Sequence, residues 1–397
     1  MDSSRRDFLR GAVSAAAAVP LLDVTTRVRG IVDAASGTRR TQAADAKPVT
    51  PFPYVDGLTF FARTASLAAS GLSGIITDVS AYEPVEPSPA GRAPRYRRSF
   101  AACARSITGM RRALNAGEVR GAFLATRGSE IRPAWETGRT AVLLQFQSAE
   151  PVGEDLTRLD LFHELGLRVL QLTHHNDNAW AGGALEPVWT GLTRTGVAGV
   201  ERLDELGIIP DLSHASDVTA RDVLRVSRKP VIVSHGAARA LVDNARCTPD
   251  DVIRGVADSG GMMGVFMMSF WLTRDAVPTA ESYVRQIRHV RNVAGIDAVG
   301  IANDYDVAGL AAAREPGMDN AAVARRDYAP WWDLVAREGA HGFSSATRPT
   351  HAVIPELNDI RRAFTIHETL DRAGFRTGEI EKIMGGNWCR VLTDALG

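Results

Sequence analysis

Residues 208–235 read IIPDLSHASDVTARDVLRVSRKPVIVSH. Ile208–Ser213 is a short apolar run that reads as a strand ending at His214, and Pro230–Ser234 is a second strand ending at His235. Between them, Val218–Val226 repeats its apolar residues at helical spacing. A strand, a crossing helix and a strand is the unit of a parallel sheet, and each strand here stops on a histidine.

The same alternation runs outward in both directions. Further strands are expected at Tyr54–Phe61, Gly74–Ala81, Gly121–Thr126, Ala141–Gln147, Arg168–Thr173, Gly261–Met268 and Ala298–Asn303. Helices are expected at Val197–Leu206, Ala280–Val293 and Thr377–Leu392. Eight or so repeats predict an α/β fold, a closed (β/α)8 TIM-type barrel in a single domain over 49–397, rather than an open doubly wound sheet. The glycine-rich stretch Gly255–Gly264 follows a helix and precedes a strand, the wrong order for a phosphate cradle. Residues 307–350, with Pro316, Pro330, Trp331 and Trp332, read as an insertion-type loop near the barrel mouth, a lid or a partner surface.

In such a barrel the C-terminal ends of all strands face one mouth, so residues distant in sequence converge there. Arg168–Thr173 ends in His174-His175-Asn176-Asp177-Asn178, and Ala298–Asn303 ends in Asp304-Tyr305-Asp306. His174, His175, His214 and His235 thus gather with Asp304. Neutral imidazoles are the commonest ligands of zinc, with aspartate a usual companion. Tyr305 and Asp306 read as shaping the loop as readily as catalysing. Trp180 reads equally well as lining the mouth or packing on the barrel, and Asn387 and Arg390 as tying the barrel together.

Lys plus Arg and Asp plus Glu are both 46, so no net field favours nucleic acid or an anionic membrane. Cys103, Cys247 and Cys389 form no metal or ribbon spacing. A disulfide between two of them and unpaired thiols are both compatible with the sequence. The chain opens on Ser4-Arg5-Arg6-Asp7-Phe8-Leu9-Arg10, followed by a short alanine-rich run through Leu22. This is the pattern of a twin-arginine signal, so 1–48 is read as signal and linker, with the Tat machinery as a partner in transit and a periplasmic or extracellular destination.

Three motifs carry a family likeness. They are Asp211-Leu212-Ser213-His214, Val233-Ser234-His235-Gly236-Ala237-Ala238-Arg239 and Asn244-Ala245-Arg246-Cys247-Thr248-Pro249-Asp250-Asp251. With Leu172-Thr173-His174, Ile301–Asp306 and Gly385–Leu392, they resemble the membrane (renal-type) dipeptidases in the expected order over nearly the whole mature chain. The resemblance implies a barrel with a binuclear zinc site that splits dipeptides. It implies that His214 and His235 are metal ligands and that His174 contacts the tetrahedral intermediate. It also implies that Arg246 grips the substrate carboxylate and that Asp304 binds the substrate amine and moves protons. The family often forms homodimers.

The chain departs from the family at the other half of the metal site. Where the family has a histidine and an aspartate after its first strand, Asp56-Gly57-Leu58-Thr59-Phe60 places Leu58 and Phe60; where it has a bridging glutamate, Gln147 stands. No bridging carboxylate remains to hold two dications close together. The expectation is zinc at no more than one per chain, or none, with Asp304, Glu150 or Asp211 as the acidic ligand. Three readings stay open: a hydrolase with an altered, at most mononuclear site acting on dipeptides or small peptide-like substrates; a metal-independent enzyme on a peptide-derived product; and a non-catalytic peptide binder.

Overall fold

The computed structural model describes residues 47–62, 66–84, 96–316 and 318–397. All but the last two residues of the expected signal and linker, 1–48, lie outside the described residues. Eight parallel strands form the barrel: β1 Val55–Asp56, β2 Gly74–Asp78, β3 Thr140–Phe146, β4 Leu167–Gln171, β5 Ile209–Asp211, β6 Ile232–Gly236, β7 Met262–Val265 and β8 Val299–Ile301. Each pairs with the next in sequence order. The ring closes where Gly57 N donates to Ile301 O at 3.0 Å and Asp304 N to Leu58 O at 2.8 Å. A ninth strand, Ala122–Leu124, pairs with the first residues of β3 before β4 takes over from Leu144. All nine strands expected from the sequence are therefore present, eight of them as barrel staves.

Both faces of the strands are covered, so they are apolar except for the polar residues toward the mouth. One face packs on the helices. From the other, Val55, Ile76, Leu143, Val169, Ile209, Ile232 and Met262 fill the barrel interior together with Trp388 from the C-terminal helix. Gly57 is required by that packing, since a Cβ there would lie 2.1 Å from the Trp388 ring. Asn387 and Arg390 do tie elements together: Asn387 donates to Ile296 O and Val299 O, and Arg390 to Gly260 O and Asp297 O.

Two segments differ from expectation. The helix expected over Thr377–Leu392 is split into Thr377–Glu381 and Asn387–Leu396 around Lys382–Gly386. There Gly385 passes so close to the chain entering β1 that a Cβ would lie 2.2 Å from Pro53 O. The stretch expected as a long loop is helical at Asn320–Val323, Ala324–Tyr328 and Ala329–Glu338. Pro330 is no breaker there, because it stands at the start of the last helix where no backbone N–H is needed. Trp331 and Trp332 are buried against Phe270 and Trp271. Trp180 is wholly buried and donates to Gly153 O, so it packs on the barrel and does not line the mouth. All three cysteines are free thiols. No helix among the described residues is long and apolar enough to cross a membrane.

Candidate active site

The mouth of the barrel is floored by polar side chains from the strand ends. Asp56 accepts from Asn303 N and Nδ2 at 2.9 and 2.6 Å, and Asp78 from Gln147 N and from Ser80. Asp211 is the most heavily bonded. It accepts from Ser213 N and Oγ, Ser234 N and Oγ, and Gln145 Nε2, all between 2.5 and 2.9 Å. Burial pushes all three carboxyls above the usual range, and these hydrogen bonds pull the other way.

Above this floor lie the histidines. His175, His214 and Asp304 are the three non-glycine residues with left-handed backbone among the described residues, at φ 68°, 64° and 56°. Such conformations cost about 1–3 kcal/mol each and persist where the surroundings impose them. Here each follows a barrel strand and turns its side chain into one cluster. His214 Nδ1 lies 3.0 Å from His175 Nδ1, and His214 Nε2 lies 2.9 Å from His235 Nε2. The His174 ring stacks on His214 at 4.4 Å between centroids. His235 Nδ1 pairs with Ser234 Oγ at 2.8 Å, which joins the cluster to Asp211.

Arg246 Nη2 donates to His214 Nε2 at 2.9 Å and to His235 O at 3.3 Å. Its guanidinium lies over Phe266 and Trp271, 5.1 and 5.6 Å from the ring centres. The loop that carries it is stapled by Arg239, which makes a two-pronged pair with Asp217 and donates to Cys247 O and Asn244 O. Asp304 completes the group, with Oδ2 4.0 Å from His235 Nε2.

Burial, followed by the charge of Arg246 or, for His174, of Arg98, holds all four imidazoles well below their ordinary value, so they are neutral at physiological pH. Burial also raises Asp304 to about 8 against the pull of Arg246, so it is largely protonated there. It lowers Arg246 to about 10, which leaves that side chain charged. Several buried polar atoms in the cluster have no partner: both Asp304 oxygens, His175 Nε2 and Arg246 Nε. Buried polar atoms are rarely left unpaired, so a ligand is the natural partner for these. His174 alone of the four histidines is partly exposed, which puts it on the access side.

The ligand set of a two-ion centre does not fit this site. Leu58 is fully buried in the packing, and neither it nor Phe60 carries a donor atom. Gln147 spends its backbone on Asp78 and Gln171 and carries no charge. Of the three acidic substitutes, Asp211 is saturated, and Glu150 faces Arg98 at 3.6 Å. Only Asp304 has free oxygens. Donors for one ion remain, either His214 and His235 with Asp304, or the trio His174, His175 and His214, whose ligand atoms lie within 4.8 Å of one another.

Sequence reasoning brought His174, His214, His235, Arg246 and Asp304 to one place, and the structure puts them there. It did not single out Arg98, buried beside Ser80 and Glu150, nor the staple made by Arg239. Neither lies at the end of a barrel strand. His175 was visible as a strand-end histidine, but nothing in the sequence showed which ring it would face.

The sequence pattern of a family described as membrane dipeptidase (peptidase family M19) matches residues 104–322. Among curated proteins, the chain is 28% identical over 277 residues to dipeptidase tcpJ of Claviceps purpurea (strain 20.1), covering 68% of this chain and 55% of that protein. It is 32% identical over 201 residues to dipeptidase verJ of Clonostachys rogersoniana, covering 50% of each. The chain thus spans about half the length of these relatives. Among solved structures, an amidohydrolase from Pseudomonas aeruginosa superposes with TM-score 0.70 at 24% identity, covering 87% of this chain and 97% of that one. A metallo peptidase from Rhodobacter sphaeroides, liganded with a phosphinate mimic of the dipeptide L-Ala-D-Ala, superposes with TM-score 0.64 at 21% identity over 87% of this chain and 99% of its own. At such identities the likeness is one of fold. The family pattern covers more than half of the chain, and on that ground the chain belongs to the membrane dipeptidase family.

Proposed function

We propose that the protein is an exported hydrolase that cleaves dipeptides or small peptide-like substrates at the barrel mouth, with an altered site that holds at most one metal ion. One observation carries this reading. A buried arginine and a buried carboxyl, Arg246 and Asp304, both offer unpartnered polar atoms to the space beside four neutral imidazoles. A dipeptide presents a carboxylate, an amide and an amine, the three groups such a site can receive.

Arg246 Nε, free and buried, would meet the substrate carboxylate. Asp304 would receive the amine. Hydrolysis then adds water to the amide carbon, breaks the C–N bond and returns a proton to the leaving nitrogen. A neutral imidazole can take the proton of the attacking water, and Asp304, protonated at neutral pH, can supply one to the leaving nitrogen. His174, on the open side, is placed to donate to the oxygen that gains charge.

Hydrolysis of a dipeptide panel by the full chain, compared with Asp304→Asn, tests the reading. Turnover that falls about 10²–10⁴-fold in the variant supports it. A wild-type chain that binds dipeptides and never cleaves one refutes it. Export is tested by replacing Arg5 and Arg6 with lysine, which should strand the protein inside the cell.

A further inference from the structure

We propose that Arg246 is the resident cation of this site: its guanidinium takes the place an ion would occupy against His214 and His235, and the native chain holds no metal there. The proposal deepens the functional reading above and rests on it for the location of the active site.

The first argument is position. An ion held by His214 and His235 would have to meet the Nε2 lone pairs of both rings. Those atoms are 2.9 Å apart, and Arg246 Nη2 is already 2.9 Å from the one on His214. A guanidinium has donors and no lone pair, so it cannot share a ligand atom with a cation. Two positive charges at this separation would also repel strongly in so dry a place.

The second argument is that the seat is built. The guanidinium lies against two stacked aromatic rings, Phe266 and Trp271, 5.1 and 5.6 Å from their centres. The Arg246 backbone N–H is fixed on Asn244 Oδ1 at 2.9 Å, and the loop is closed by Arg239. A side chain packed on aromatic rings and fixed at its root is not one that swings away to admit an ion.

The third argument concerns the protons. Because Arg246 only donates, His214 Nε2 must be the ring's acceptor. The proton of that neutral ring is then on Nδ1, where it donates to His175 Nδ1 at 3.0 Å. That removes His214 as a ligand toward His174 and His175 as well. One arginine contact therefore closes both of the donor groups that could have held a single ion. With no donors at Leu58, Phe60 and Gln147, the charge at this site comes from a fixed organic cation, Arg246.

The test is zinc retained by the full chain after incubation with zinc and desalting, measured for the wild type, Arg246→Met, Arg246→Lys and the double variant Arg246→Met/His235→Ala. Methionine keeps an unbranched, apolar stem that suits the aromatic seat without the charge. The wild type and Arg246→Lys should retain no stoichiometric zinc. Arg246→Met should gain about one per chain, bound by His214, His235 and Asp304 and visible with cobalt(II) as tetrahedral absorption. The double variant should lose it again. A wild type that retains one zinc, lost on His235→Ala, overturns the proposal, and so does a natively folded Arg246→Met that takes up none. If Arg246→Met does not fold, the comparison of wild type with His235→Ala decides alone. Failure of the wild type to cleave any dipeptide would defeat the functional reading while leaving these zinc counts intact.

Discussion

His235 Nδ1 is joined to Asp211 Oδ2 through a single hydroxyl, Ser234 Oγ, at 2.8 and 2.5 Å. Asp211 sits at the end of β5 and His235 near the end of β6, so the link fixes the imidazole to the neighbouring strand. Outer-shell bonds of this kind orient a functional ring, and their loss costs about 10–100-fold in activity in comparable sites. Ser234→Ala should lower kcat by that factor with little change in KM. Asp211→Ala should act mainly on stability, because it orphans the buried donors of Ser213, Ser234 and Gln145 at about 1–3 kcal/mol each. Denaturant titration of the two variants separates these effects.

Arg239 works at a distance from the chemistry. It binds Asp217 through both Nη atoms at 2.6 and 2.7 Å and holds the carbonyls of Asn244 and Cys247, which bracket Arg246. Arg239→Ala should raise KM for dipeptides more than it lowers kcat and should cost about 1–3 kcal/mol, since Asp217 loses its two-pronged partner and keeps only Arg221 at 3.8 Å. Steady-state kinetics beside equilibrium unfolding checks both.

Asp304 gives a pH dependence whose sign is fixed. Its value is raised to about 8 by burial, so the folded protein keeps a proton that the unfolded chain loses in the ordinary carboxylate range. This group's contribution to stability is therefore greatest at acid pH and falls as pH rises toward about 8. Asp304→Asn should flatten that part of the curve of Tm against pH. A parallel curve for the variant would contradict the assignment. Activity that depends on Asp304 as an acid should likewise decline as pH passes about 8.

Leu58 stands where the family's first-strand histidine would be and is fully buried. As a core residue, its replacement by alanine should cost about 2–5 kcal/mol and leave zinc content unchanged. Stoichiometric zinc in the wild type that is lost in Leu58→Ala would mean that this position still belongs to a metal site.

The barrel was legible because strand and helix periods alternate from Tyr54 to Asn303 and each strand is bounded by polar residues. The site was legible where those polar residues are histidines or Asp304, since the fold alone brings strand ends together. The strand pattern alone does not show what the chain brings in from outside the strands; Arg246 was reached through the family resemblance, and its contacts were not legible. Arg246 is 32 residues from His214 in sequence, and its contact with that ring depends on how the loop after β6 is stapled. Arg98 enters between a two-residue strand outside the barrel, Tyr96–Arg97, and the helix Phe100–Asn115, with no barrel strand to announce it. Proline and tryptophan at 330–332 were mistaken for loop because their burial against Phe270 and Trp271 is a tertiary fact.

The most direct test counts zinc and other transition metals per chain in protein whose hydrolysis of a dipeptide panel is followed on the same sample, with and without exhaustive chelation. The account predicts dipeptide cleavage with no stoichiometric metal ion present and no loss of rate on chelation. Two tightly bound ions per chain, with activity abolished by their removal, would contradict it.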